Sequence, residues 1–115
     1  MAHAKLCHAS FERATLIRCQ LQNADIRHGC FVDADLRLAD LQQVNLEGAK
    51  FSNAQLCYAN LSGANLQGVD FRSTDLTGII LTGANLTHCQ FTQLQLEGLK
   101  LSQASFNDPE AQMAV

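Results

Sequence analysis

Gly83-Ala84-Asn85-Leu86 is a clean copy of a unit that returns every five residues along the 115-residue chain. Counted in fives from Leu6, the slot held by Leu86 is filled by Leu, Ile or Phe at every step, through Phe11, Leu16, Leu21 and Ile26 to Leu96, Leu101 and Phe106. Those three residue types make up about a quarter of the chain, so chance does not fill such a run, and the sequence is an internal repeat. A period of five suits neither ordinary element. In an α-helix, five steps of about 100° carry the apolar residue round by about 140° each time, and no face stays apolar. In a flat strand every second leucine would face water. The pattern works only if the chain turns between units, so that each Leu or Phe points to a common axis. Two positions before each centre sits a smaller residue, such as Ala9, Ala24, Ala34, Ala49, Ala64 and Ala84. One large and one small inward residue per unit fill a narrow, dry interior.

The number of units per turn follows from the phenylalanines. Phe11, Phe31, Phe51, Phe71 and Phe91 all occupy centre slots and lie twenty residues apart. Four units per coil would place them in one column. Coils joined through backbone hydrogen bonds sit about 4.8 Å apart, within the range of about 4.5–7 Å that suits offset aromatic stacking.

The unit has Ala two before the centre and Asp or Asn one before it, the latter at Asp25, Asp35, Asp40, Asn45, Asn60, Asn65, Asp70, Asp75 and Asn85. In this it resembles the pentapeptide repeat family, a family of bacterial type, over nearly the whole chain. The resemblance implies an all-β fold: a right-handed quadrilateral β-helix, or pentapeptide-repeat solenoid, of four five-residue units per coil and about five coils. It speaks for the fold and not for a partner, because the repeated residues build the core.

One domain is expected over residues 1–108, with a short tail over 109–115, since Pro109 falls on an inward slot and lacks the N–H that coil stacking needs. From Leu6 to about Leu41 the slot two after the centre holds His8, Arg13, Arg18, Asn23, His28, Asp33 and Leu38. Beyond it glycine takes over at Gly48, Gly63, Gly68, Gly78, Gly83 and Gly98, and a change of turn type is expected there. Neither end shows an evident cap. Self-association through a solenoid end, as a homodimer using Leu94, Leu99 and Phe106, is therefore one expectation; the alternative is that the terminal residues fold over the ends and suffice.

Composition narrows the function classes. The net charge of −3 expresses no strong preference for nucleic acid or anionic lipid. The opening residues do not read as a leader and no apolar run is long enough to span a bilayer, so a cytoplasmic protein with no membrane association is expected. The five cysteines share no twenty-residue spacing and read as free thiols of a reducing compartment, Cys19 and Cys89 inward and Cys7, Cys30 and Cys57 outward. His8 and His28 stack near Cys7 and Asp25, a weak donor set. No metal site, cofactor or catalytic constellation is expected, and no enzyme.

Stacking residues twenty apart lays out four outer faces. On the face centred on Leu16, Leu36 and Leu56, Ile17 stacks with Arg37 and Cys57, and Arg18 with Leu38 and Tyr58. Exposed apolar and aromatic residues mixed with arginine are enriched in interface cores, so these six form the candidate interaction patch. The face with Gln22, Gln42, Ser62 and Thr82 is almost charge-free. Thr77, Thr82, Thr87 and Thr92 fall on four different sides, which rules out an ice-binding ladder. The leading expectation is a non-enzymatic protein-interaction or scaffold module, its protein partner unidentified. The alternative comes from the resemblance: some family members are thought to imitate duplex DNA and bind type II topoisomerases such as gyrase. Over a rod of about 25 Å, duplex DNA would carry about fifteen negative charges. A net of −3 falls well short.

Overall fold

The computed structural model describes residues 3–102, with side chains through Leu99. Over the described residues the chain winds into stacked coils followed by a helix, α1, at Gln93–Ser102. Every five residues, Lys50 excepted, a single parallel bridge joins a residue to the one twenty later, from Lys5↔Asp25 through Asp40↔Asn60 to Asp70↔Gln90. Four such bridges complete each coil, so the coil is four-sided and holds twenty residues. About four and a half coils stand between His3 and Thr92.

The five backbone N–H groups of each unit explain the repeat. In the unit centred on Ile26, the Asp25 N–H donates backward to Ala4 O at 2.8 Å, and the Ile26 and His28 N–H groups donate forward to Asn45 O at 2.8 Å and Glu47 O at 2.9 Å. The Gly29 N–H closes the turn on Ile26 O at 3.0 Å. One donor remains, the N–H of the first corner residue, and the polar slot takes it. Oδ1 of Asp35, Asn45, Asn60 and Asn85 accepts the N–H of Arg37, Glu47, Ser62 and Thr87 at 3.0–3.2 Å. Asp and Asn recur in this slot, at nine positions from Asp25 to Asn85, because their short side chains reach the amide two residues on.

The expected change of turn type is corrected. The second corner residue has φ between +59° and +64° at His8, Arg13, Leu38, Gln43 and Tyr58, and between +68° and +78° at the glycine corners. With the carbonyl-to-amide bond three residues on, both are one kind of turn, type II in its positive second φ. The inter-coil bonds on either side of the corner dictate its backbone, and the residue conforms. Ser73 is the exception, with no positive φ. There the bridge between Lys50 and Asp70 is missing, and the Asn53 N–H donates to Ser73 Oγ at 3.2 Å rather than to a carbonyl.

Inside, the aromatic column is present. Phe11, Phe31, Phe51, Phe71 and Phe91 stack at centroid separations of 5.1, 4.9, 5.8 and 5.4 Å. The core is fully buried from Leu21 onward, while Ala4, Leu6, Phe11, Leu16 and Cys19 at the first coil are only partly covered. Thr74, in an alanine slot, is buried and donates its hydroxyl to Phe51 O at 2.9 Å. Cys89 donates its thiol to Leu66 O at 3.0 Å, and burial pushes that thiol's pKa up to about 12.

Two expectations at the C-terminal end are also corrected. The five-residue pattern continues past Phe91 in sequence, but Gln93–Ser102 is helical, so the architecture is a β-solenoid with a helical cap rather than all-β. The reason is local. Thr92 Oγ1 accepts the Gln95 N–H at 3.1 Å while Gln95 Oε1 accepts the Thr92 N–H at 2.9 Å, a reciprocal cap that starts a helix. Gln95 Nε2 donates to Phe71 O and Thr74 O at 2.7 and 2.9 Å, satisfying carbonyls of the last coil. Leu96 and Leu99 lie down on the core at 4% exposure each. This end is therefore covered, not open. The expected boundary at 108–109 lies outside the described residues.

The polar slots give the fold an acid limit. Hydrogen bonds from Arg27, Arg37 and Arg72 hold the carboxyls of Asp25, Asp35 and Asp70 below the usual range, Asp25 at about 2, and those from Thr77 do the same for Asp75. A carboxyl depressed on folding adds stability above its unfolded pKa, and this is lost as pH falls through the folded value. Thermal melts followed by circular dichroism should show a level midpoint from neutral pH down to about 4 and a fall from there towards about 2. A midpoint that rises on acidification would contradict the assignment.

Candidate interaction face

The side centred on Leu16, Leu36, Leu56 and Leu76 carries three outward columns. Thr15, Asp35, Gln55 and Asp75 form the first; Ile17, Arg37, Cys57 and Thr77 the second; Arg18, Leu38, Tyr58 and Gly78 the third. The bridges Thr15↔Asp35 and Asp35↔Gln55 and Gln55↔Asp75 hold them in register. The structure thus brings all six residues of the expected patch onto one side. Of the five large apolar side chains that stand out into solvent among the described residues, three belong here: Ile17 at 40%, Leu38 at 46% and Tyr58 at 60% exposure.

Each side chain is placed by its corner. Tyr58 occupies a positive-φ position, and its ring leans over the next coil, where Gly78 leaves room. A Cβ at Gly78 would collide with the ring. Arg37 is folded back on Asp35, its Nε and Nη2 meeting the two carboxylate oxygens at 2.8 and 2.7 Å. Arg18 is exposed and makes no ion pair among the described residues. The Cys57 thiol is half-covered, and burial, with the Asp75 carboxylate next to it, raises its pKa.

Where the side meets α1 there is a cleft of about 390 Å³ lined by Thr74, Asp75, Leu76, Thr77, Gly78, Leu94, Gln95, Gly98 and Leu99. Leu94 stands at its edge with 79% exposure. Of the three residues expected at a self-associating end, Leu94 thus extends this side, Leu99 faces the core, and Phe106 lies outside the described residues. The cleft and Leu94 went unanticipated, although Thr92-Gln93-Leu94-Gln95 carries the capping signature that could have revealed the helix.

The other sides are plainer. His8 and His28 stack at 5.1 Å, and His28 folds over Gly48, on the side that bears Asp25, Arg27 and Cys7. The almost charge-free side, which carries Asp40, offers Ile80 alone among the described residues as a large exposed apolar residue, at 37%.

Leu38 sits at φ +61°, a region that costs a leucine about 1–2 kcal/mol and that Asn tolerates. Leu38→Asn should therefore raise the unfolding free energy by up to about 1 kcal/mol in urea titrations while removing an apolar group from this side. A loss of stability would mean that Leu38 serves the fold.

The pentapeptide repeat family model matches residues 1–31, 34–72 and 70–108, in eight copies. The chain is a pentapeptide repeat protein. Among solved structures, this pentapeptide repeat protein is similar to Rfr23 of the cyanobacterium Cyanothece 51142, with 30% identity and a TM-score of 0.70 over 81% of this chain. It spans 60% of the length of Rfr23. A pentapeptide repeat protein of the Arabidopsis thaliana thylakoid lumen is 27% identical, covering 87% of this chain and 77% of its own, with a TM-score of 0.43. QnrB1, described as a plasmid-mediated fluoroquinolone resistance protein, is 17% identical over 76% of this chain and 56% of its own, with a TM-score of 0.42. No curated protein matches. Among the described residues no helix is long and apolar enough to cross a membrane.

Proposed function

We propose that this pentapeptide repeat protein is a non-enzymatic interaction module that holds a protein partner on the side carrying Ile17, Arg18, Arg37, Leu38, Cys57 and Tyr58. The clustering of Ile17, Leu38 and Tyr58 in two adjacent columns of one side supports it. Singly exposed apolar residues are ordinary, whereas an apolar and aromatic group edged by arginine has the make-up of an interface centre. The winding is read as right-handed, by analogy with the family, and the compartment as the cytoplasm, where thiols stay reduced.

The alternative, imitation of DNA toward gyrase, is disfavoured by the charges. Asp25, Asp35 and Asp70 are each neutralised by an arginine two residues on, at 2.9, 2.7 and 2.9 Å, so the acidic slots do not add up to a phosphate-like surface. Inhibition of gyrase supercoiling at low micromolar protein would reverse that ranking.

The module reading is tested with benzoylphenylalanine placed at Tyr58 or at Gln43 on the charge-free side, followed by illumination in cells. Protein adducts from position 58 and not from 43 are expected. Equal labelling of both, or none at 58, would remove the assignment of the side.

A further inference from the structure

We propose that the side bearing Leu38 and Tyr58 pairs with the same side of a second copy, the two columns running antiparallel about a two-fold axis that passes between the second and third coils. This rests on the interaction reading above and names the partner as another molecule of this chain. An isologous contact needs a surface that complements itself when turned end for end. With the axis lying in the contact plane, each column faces its own reversed image.

In the third column the reversal sets Leu38 against Tyr58 and Arg18 against Gly78. In the second it sets Ile17 against Thr77 and Arg37 against Cys57; in the first, Thr15 against Asp75 and Asp35 against Gln55. No facing pair joins like charges. Leu38 and Tyr58 meet in the central layers beside Arg37, an apolar, aromatic and arginine mixture of the kind enriched in interface centres, and Ile17 lies at the ends against Thr77.

The ends decide the register. Arg18, exposed and outside any ion pair among the described residues, arrives opposite Gly78, at the border of the cleft that Asp75, Thr77 and Leu94 line. The Tyr58 ring lying over Gly78 offers its face to the incoming guanidinium, a favourable contact for a cation, and the Asp75 carboxylate lies beyond. Two-fold symmetry makes this contact twice. The first coil, where Arg18 sits, and the capped end, where Asp75 sits, thus supply complementary halves of one interface.

Size sets the strength. A side of a column measuring 31 × 22 × 21 Å offers on the order of 600 Å² per copy, below the roughly 800 Å² of a standard stable interface. The pairing is therefore expected at tens to hundreds of micromolar.

Sedimentation velocity on the full chain, from about 20 to 400 μM, tests it. The wild type should move from the 12.6 kDa monomer toward twice that mass. Arg18→Asp and Asp75→Arg should each remain monomeric, and an equimolar mixture of the two should recover the dimer, because in the mixed pair an Asp meets an Arg at both ends. Circular dichroism confirms that each variant is folded. Asp75→Asn keeps an acceptor for the Thr77 turn, guards against a folding defect, and should weaken pairing about tenfold. A wild type monomeric at the highest concentration, or variants that dimerise as it does, or a mixture that fails to recover, overturns the proposal. Crosslinks from position 58 to other proteins would then still stand, which separates this failure from that of the interaction reading.

Discussion

Phe51→Ala should lower the unfolding free energy by about 3–5 kcal/mol, the top of the range for a single truncation. Phe51 is 1% exposed and lies between Phe31 at 4.9 Å and Phe71 at 5.8 Å. Removing its ring deletes two stacking contacts and leaves a void that the coils above and below cannot close, because inter-coil hydrogen bonds fix their separation. The same change at Phe11, which is only half-covered and stacks on one side, should cost about half as much or less. Urea denaturation of both variants measures the difference. Equal losses, or a loss below about 1 kcal/mol at Phe51, would show that the column does not carry the core.

Leu99→Glu should release the cap. Leu99 and Leu96 are the two α1 side chains laid on the coil end at 4% exposure, each worth about 1.5–3 kcal/mol of burial. A carboxylate in place of Leu99 forfeits its share and adds a desolvation penalty of several kcal/mol, more than the docking of a ten-residue helix withstands. The coils, held by their own bridges, should stay folded. Limited proteolysis should therefore cut within residues 93–99 in the variant at least tenfold faster than in the wild type, with the β signal in circular dichroism retained. Loss of the whole spectrum would make α1 an integral part of the fold, and unchanged proteolysis would mean that Leu99 is not buried.

The repeat made most of the fold legible. The apolar slot, the small slot and the twenty-residue spacing of phenylalanine are direct records of a four-sided interior, and the structure places all three as read up to Phe91. The Asp and Asn slot was legible as a pattern but not as a cause, since the amide it satisfies can be identified only once the other four N–H groups of the unit have partners. The helix at Gln93–Ser102 was hidden for a physical reason. Leu96 and Leu101 keep the five-residue rhythm, while the helix is set by a cap between Thr92 and Gln95 and by Gln95 reaching carbonyls of Phe71 and Thr74, contacts that periodicity does not encode. The turn type at the corners was misread because residue identity there tolerates the conformation instead of choosing it, as Leu38 and Tyr58 illustrate. That six residues share one side was legible because a strict repeat turns sequence spacing into surface position. The cleft beside Asp75 was not, since one of its walls is the helix.

The corner at Ser73 divides the column. Between Lys50 and Asp70 the coils lack the bridge found at the other three corners of that layer, and the Phe51–Phe71 step, at 5.8 Å with 24° between the rings, is the loosest in the aromatic column. In a stack where each layer adheres only to its neighbours, the weakest seam sets where breathing begins. Opened there, the layers on either side would part like pages hinged along the three remaining edges. Amide deuterium uptake along that edge should run ahead of the rest of the interior, giving one continuous stack two halves that move on different clocks.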